Sequence, residues 1–126
     1  MARTHKKVRY SPKSKGKEYT PVTAAHDVEQ AFKVIEGRWK LLILFHLFGG
    51  KILRFSELER AIPAISQKML IQQLRELERD GIVLRTIYPQ IPPRVEYQLT
   101  KVALRPALRA LLAWSALRKE AMPPSS

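Results

Sequence analysis

The stretch from Ser66 to Gly81 constrains the fold of this chain more than any other. Leu70, Leu74 and Leu77 recur at i, i+4 and i+7, which is one stripe of an α-helix. Ser66 offers a side-chain oxygen to the open amides at the start, and Gly81 supplies the residue that ends the run. The spacing predicts a helix from Ser66 to about Asp80. Just before it, Ser56-Glu57-Leu58-Glu59 has the form of a capping box and opens a short helix to about Ile62. Pro63-Ala64-Ile65 leaves room for a tight turn between the two helices. Two strands are expected directly after, Ile82 to Tyr88 and Arg94 to Leu99. In the second, Val95, Tyr97 and Leu99 alternate with Arg94, Glu96 and Gln98. Pro89, Pro92 and Pro93 forbid ladder pairing in the connection and stiffen it. A short helix, a tight turn, a longer helix and a hairpin, in that order, make the winged helix-turn-helix plan.

The rest of the chain adds helices at either end. Asp27 is the expected N-cap of a helix through about Ile35, with Val28, Ala31, Phe32 and Ile35 on one face and Gly37 beyond its end. A second helix, from about Arg38 to Phe48, is apolar nearly all round and forms the centre of the core; Gly49-Gly50 stops it. A last helix is expected from about Leu104 to Glu120. Its apolar arc (Leu104, Ala107, Leu108, Leu111, Leu112, Trp114 and Leu117) is wider than a small domain can cover, which points to an intersubunit role. The fold class is α+β, mostly α: a winged helix-turn-helix with a two-stranded wing and extra N- and C-terminal helices for dimerisation. Residues 1–22 are expected to be a basic disordered tail, 23–121 the folded domain and 122–126 a frayed end.

Charge narrows the partner. Lys and Arg number 23 against 11 Asp and Glu, a formal charge of +12, so a polyanion is expected, nucleic acid before an anionic membrane surface. Nothing reads as a secretory signal, and the densest apolar run, Leu41 to Phe48, is far too short to span a membrane. The chain has no cysteine, which excludes disulfides and thiolate metal sites and fits a cytoplasmic, nucleoid-associated protein. His5, His26 and His46 are scattered, so no metal is expected. No nucleophile-base pair and no glycine-rich phosphate loop stand out, so neither enzymatic activity nor a cofactor is expected.

Candidate DNA contacts follow from the phase of the Ser66–Asp80 helix. Opposite the leucine stripe stand Gln67, Lys68, Gln72 and Arg75. Glutamine pairs in a bidentate manner with adenine, and Arg or Lys with guanine, in a major groove that admits one helix. Ser66 and the first-turn amides suit a phosphate. Arg94, expected at the tip of the wing beside the prolines, and Arg54 ahead of the short helix are further contacts, to the minor groove or its rim and to the backbone. Glu76, Glu78 and Arg79 read instead as an ordinary solvated flank, and Arg85 as a contact or a solvated strand residue. The tail, including Ser11-Pro12-Lys13, would add non-specific, salt-sensitive affinity.

From about His26 to Leu112 the sequence resembles the HxlR family of bacterial and archaeal transcription regulators. The likeness is carried by Gly37-Arg38-Trp39-Lys40-Leu41-Leu42-Ile43-Leu44 and Arg54-Phe55-Ser56-Glu57-Leu58, then by Ala61 through Leu70 and Gln72 through Gly81. Tyr88-Pro89, Pro92-Pro93-Arg94-Val95-Glu96-Tyr97 and Leu99-Thr100 complete it. The resemblance implies a homodimer on double-stranded DNA, binding an inverted repeat and controlling a nearby gene. It puts the dimer interface on the first and last helices, here Phe32 with Leu108, Leu111, Leu112 and Trp114. A small-molecule effector would enter between those helices, though no residue specifies one. Two departures stand out: His26 occupies the place where many members carry a cysteine, and the segment Lys101 to Pro106 is shortened. The alternatives are a non-specific architectural DNA-binding protein, which the charge favours, and a winged helix that binds protein, which it does not.

Overall fold

A computed structural model describes residues 8–9, 18–100 and 104–122. The chain divides into two compact units, residues 1–36 and 37–126.

In the first unit, β1 (Val8–Arg9) pairs antiparallel with β2 (Glu18–Tyr19), and α1 runs from Pro21 to Ile35. This helix starts earlier than the sequence reading put it. Its cap is Thr20, not Asp27: the Thr20 hydroxyl accepts from the Thr23 amide at 3.2 Å, and Thr23 Oγ1 accepts from the Thr20 amide at 2.9 Å. Pro21 sits where its missing N–H would have had no helical partner anyway. No residue of α1 is buried, and Val22, Val28 and Phe32 are exposed. The basic residues expected to form the tail, apart from Arg9, lie outside the described residues.

The second unit holds the core. Its helices are α2 (Lys40–His46), α3 (Phe55–Ala61), α4 (Gln67–Arg79) and α5 (Arg105–Ala121); its strands are β3 (Leu53–Arg54), β4 (Val83–Tyr88) and β5 (Arg94–Leu99). Ile43, Leu44 and Leu47 are fully enclosed, and Leu58, Leu70, Leu74, Leu77, Val83 and Leu99 join them. Only one side of α2 is buried; Leu42 faces outward.

The α3 cap also differs from expectation. Glu57, not Glu59, reaches back, accepting from the Arg54 amide at 2.7 Å, and Ser56 lies within the helix. The sheet has three strands rather than two, in the order β3-β5-β4, all antiparallel. Across it Leu53, Tyr97 and Arg85 share one face, and Arg54, Glu96 and Thr86 the other. Gly81, with φ +76°, turns the chain from α4 into β4. Thr100 then closes the hairpin against that turn: its hydroxyl donates to the Gly81 carbonyl at 2.7 Å, and its amide donates to the Ile82 carbonyl at 2.9 Å. The helix-turn-helix is α3 and α4, and β4 with β5 is the wing.

Candidate nucleic-acid interface

The exposed face of α4 is built by its own apolar stripe. Leu70, Leu74 and Leu77 are buried, which rotates Gln67, Lys68, Gln72 and Arg75 to the outside. The helix starts as expected, with Ser66 Oγ accepting from the Met69 amide at 3.0 Å. Gln67, Lys68, Ile71, Gln72, Arg75 and Glu76 line one shallow groove of about 560 Å³. Four of the predicted contacts are therefore brought together on one surface, with Ser66 at its N-terminal edge.

Glu76 is not the solvated residue the sequence suggested. Its Oε1 is 2.7 Å from Nζ of Lys40, a side chain only 8% exposed, and its Oε2 accepts from Gln72 Nε2 at 3.3 Å. The Lys40 ammonium, followed by the Gln72 amide, holds the Glu76 carboxyl below the usual carboxylate range; partial burial opposes this, and the charges of Lys40 and Arg79 add to it. Lys40 lies at the start of α2, far from Glu76 in the sequence, so periodicity within α4 carries no signal of the pair. Arg79 is exposed, with Nε 3.3 Å from Asp80 Oδ1.

The remaining predicted arginines fall in two places. Arg54 and Arg94 lie on the same face of the sheet and line one concavity with Gln90, Pro92 and Pro93. Arg94 is not at the tip of the wing. It is the first residue of β5, its guanidinium 4.0 Å from the centre of the Tyr88 ring and its Nε 3.4 Å from Glu96 Oε2, and its side chain is about a third exposed. The tip instead presents Ile91, fully exposed among the prolines, which alternation in the flanking strands did not single out. Arg85 faces the other way and lines a cleft of about 310 Å³ with Arg75, Glu78 and Tyr97.

Of the residues assigned to a dimer interface, Phe32, Leu112 and Trp114 are about half exposed and Leu111 is partly so. Leu108 is a correction: it is fully enclosed within its own chain and presents nothing to a partner. Among the described residues no group of three His, Asp or Glu side chains is arranged to hold a metal, and no helix is long and apolar enough to cross a membrane.

Comparison with known proteins matches the HxlR-like helix-turn-helix model to residues 34–122. The chain is 53% identical over 91 residues to the HTH-type transcriptional regulator YtcD of Bacillus subtilis, covering 71% of each. It is 52% identical over 89 residues to an HTH-type transcriptional regulator of Methanothermobacter thermautotrophicus, covering 69% of this chain and 67% of that one. Among solved structures, that of YtcD superposes with a TM-score of 0.69 at 48% identity, over 74% of this chain and 96% of that one. The reduced form of the redox regulator HypR gives 0.69 at 43%, over 74% and 93%.

Proposed function

The chain belongs to the HxlR-like helix-turn-helix family and is a DNA-binding transcriptional regulator, and on that premise we propose that it reads an inverted-repeat operator as a homodimer, with α4 in the major groove. The observation that carries this reading is the single outward face of α4. Gln67, Lys68, Gln72 and Arg75 stand there together, on a helix whose other side is locked into the core. In this reading Gln72 and Gln67 contact adenine edges, Lys68 and Arg75 contact guanine edges or phosphate, and Ser66 with the first-turn amides contacts phosphate. Arg54 and Arg94 line the flank nearest the wing and meet the backbone there, while Arg85 joins Arg75 on the opposite side.

Dimerisation is supported by apolar side chains left about half or more exposed: Leu112, Trp114 and Leu117 on α5, and Val28 and Phe32 on α1. A two-fold dimer sets its two α4 helices about 34 Å apart, one duplex turn. A small effector would act at this interface by changing that spacing. Sensing through a thiol is chemically closed to this chain, which has no cysteine. Its site of action is the nucleoid of the cytoplasm.

Selection of random duplexes by the purified protein at about physiological salt tests the proposal. A two-fold symmetric motif with half-sites one turn apart is the expected result. The charge of +12 favours a second reading, non-specific packaging of DNA. Salt-sensitive binding with no enriched sequence would establish that one instead.

A further inference from the structure

Gln72 can bond a base in two ways, depending on which end of its carboxamide leads. An unrestrained glutamine on a helix surface flips freely between them. Here one end is already engaged: Nε2 donates to Glu76 Oε2 at 3.3 Å. A carboxylate only accepts, so this contact admits the amide nitrogen and excludes the amide oxygen. Gln72 is left with Oε1 and its second N–H outward, an acceptor beside a donor, the pattern that matches the N6 and N7 edge of adenine.

What holds Glu76 comes from outside α4. Lys40 Nζ is 2.7 Å from Glu76 Oε1, and its side chain is 8% exposed against 27% for Glu76. A buried ammonium keeps its counter-ion, because losing it strands a charge away from water. With Oε1 committed to Lys40, Oε2 is the oxygen left for Gln72. The same pairing neutralises the one carboxylate lining the α4 groove, where it would otherwise repel phosphate.

We propose that Lys40, acting from α2 through Glu76, is a positioning residue that fixes the orientation of the Gln72 carboxamide and so sets the base α4 prefers at that position. The inference rests on the reading of Gln72 as a base contact. It also predicts a distinctive effect of Glu76→Gln. Lys40 would take the single acceptor oxygen of the new amide, whose nitrogen would then face Gln72 and reverse its orientation.

The test uses the full-length protein and two probes: the duplex obtained by random selection, and the same duplex with the base pair lost on Gln72→Ala replaced. The readout is the ratio of the two affinities, in which any uniform loss from charge or folding cancels. In the wild type the ratio is expected to be about tenfold. Lys40→Met and Glu76→Gln should each reduce it by roughly threefold or more at that base pair alone, leaving preferences elsewhere in the site intact. An unchanged ratio in either variant, with Gln72→Ala losing it, overturns the proposal and leaves the base-reading role of Gln72 standing. If Gln72→Ala itself leaves every base preference in place, the underlying reading fails and the proposal with it. Should either variant not fold cooperatively, the double variant Lys40→Met with Glu76→Gln, which strands neither charge, decides the matter by the same ratio.

Discussion

Glu76 shares the exposed flank of α4 with Gln72 and Arg75, yet its charge is tied to the core through Lys40. Because its carboxyl is held below the ordinary glutamate range, ionisation favours the folded state. That contribution is complete above the ordinary value of about 4.3 and is lost as pH falls below it towards the lowered one. Thermal melting between neutral and acid pH should therefore show a loss of stability in the wild type that is smaller in Glu76→Gln. Equal pH profiles for the two would show that the pair is irrelevant to folding. At this scale the candidate contacts on α4 were legible, because Ser66 and three leucines fix the phase of the helix and the phase fixes which residues point out. The anchoring of Glu76 was not, since it depends on a side chain supplied by another helix. Alternation placed Arg94 correctly at the start of β5, but its engagement with Tyr88 and Glu96 is a property of the folded hairpin and was not legible.

Each helix boundary is a local contest among capping groups, and α4 has the clearest winners. Ser66→Ala removes the acceptor for the Met69 amide and should cost about 1 kcal/mol by denaturant unfolding. Gly81→Ala should cost about 1–2 kcal/mol, from backbone conformation alone. The residue has φ +76°, and an added Cβ would meet nothing within 4 Å. An unchanged midpoint in either variant would refute the corresponding assignment. Elements with strong periodicity were readable to within a residue or two: α4, both wing strands and α5 fall close to where the apolar spacing put them. Two were not. The start of α1 was obscured because Thr20 and Pro21 follow a lysine-rich stretch, and Asp27, an equally good capping type, lies inside the helix. β3 has two residues, too few to show alternation, and exists because β5 offers it an edge.

For the molecule as a whole, charge and apolar exposure make separate predictions. The formal charge of +12 implies that affinity for random-sequence DNA falls steeply as salt is raised, with the slope of log affinity against log salt counting the phosphates neutralised. Replacing several lysines of residues 1–17 should reduce that slope and weaken all duplexes alike. The exposed apolar side chains of α5 make the proposed self-association testable. Trp114→Glu should shift the protein from dimer to monomer in sedimentation without unfolding it, since that ring is more than half exposed; a monomeric wild type would remove the basis for a two-fold operator. The bond from the Thr100 hydroxyl to the Gly81 carbonyl has a wider consequence. It fastens the base of the hairpin to the end of α4, and such a tie would hold helix and wing at a set spacing, like the jaws of a locked caliper. A tool of that kind gauges the distance between a major groove and its neighbouring backbone. On the proposed reading it would reward duplexes whose groove width, or ease of bending, already suits the fixed gap, at base pairs that no side chain touches.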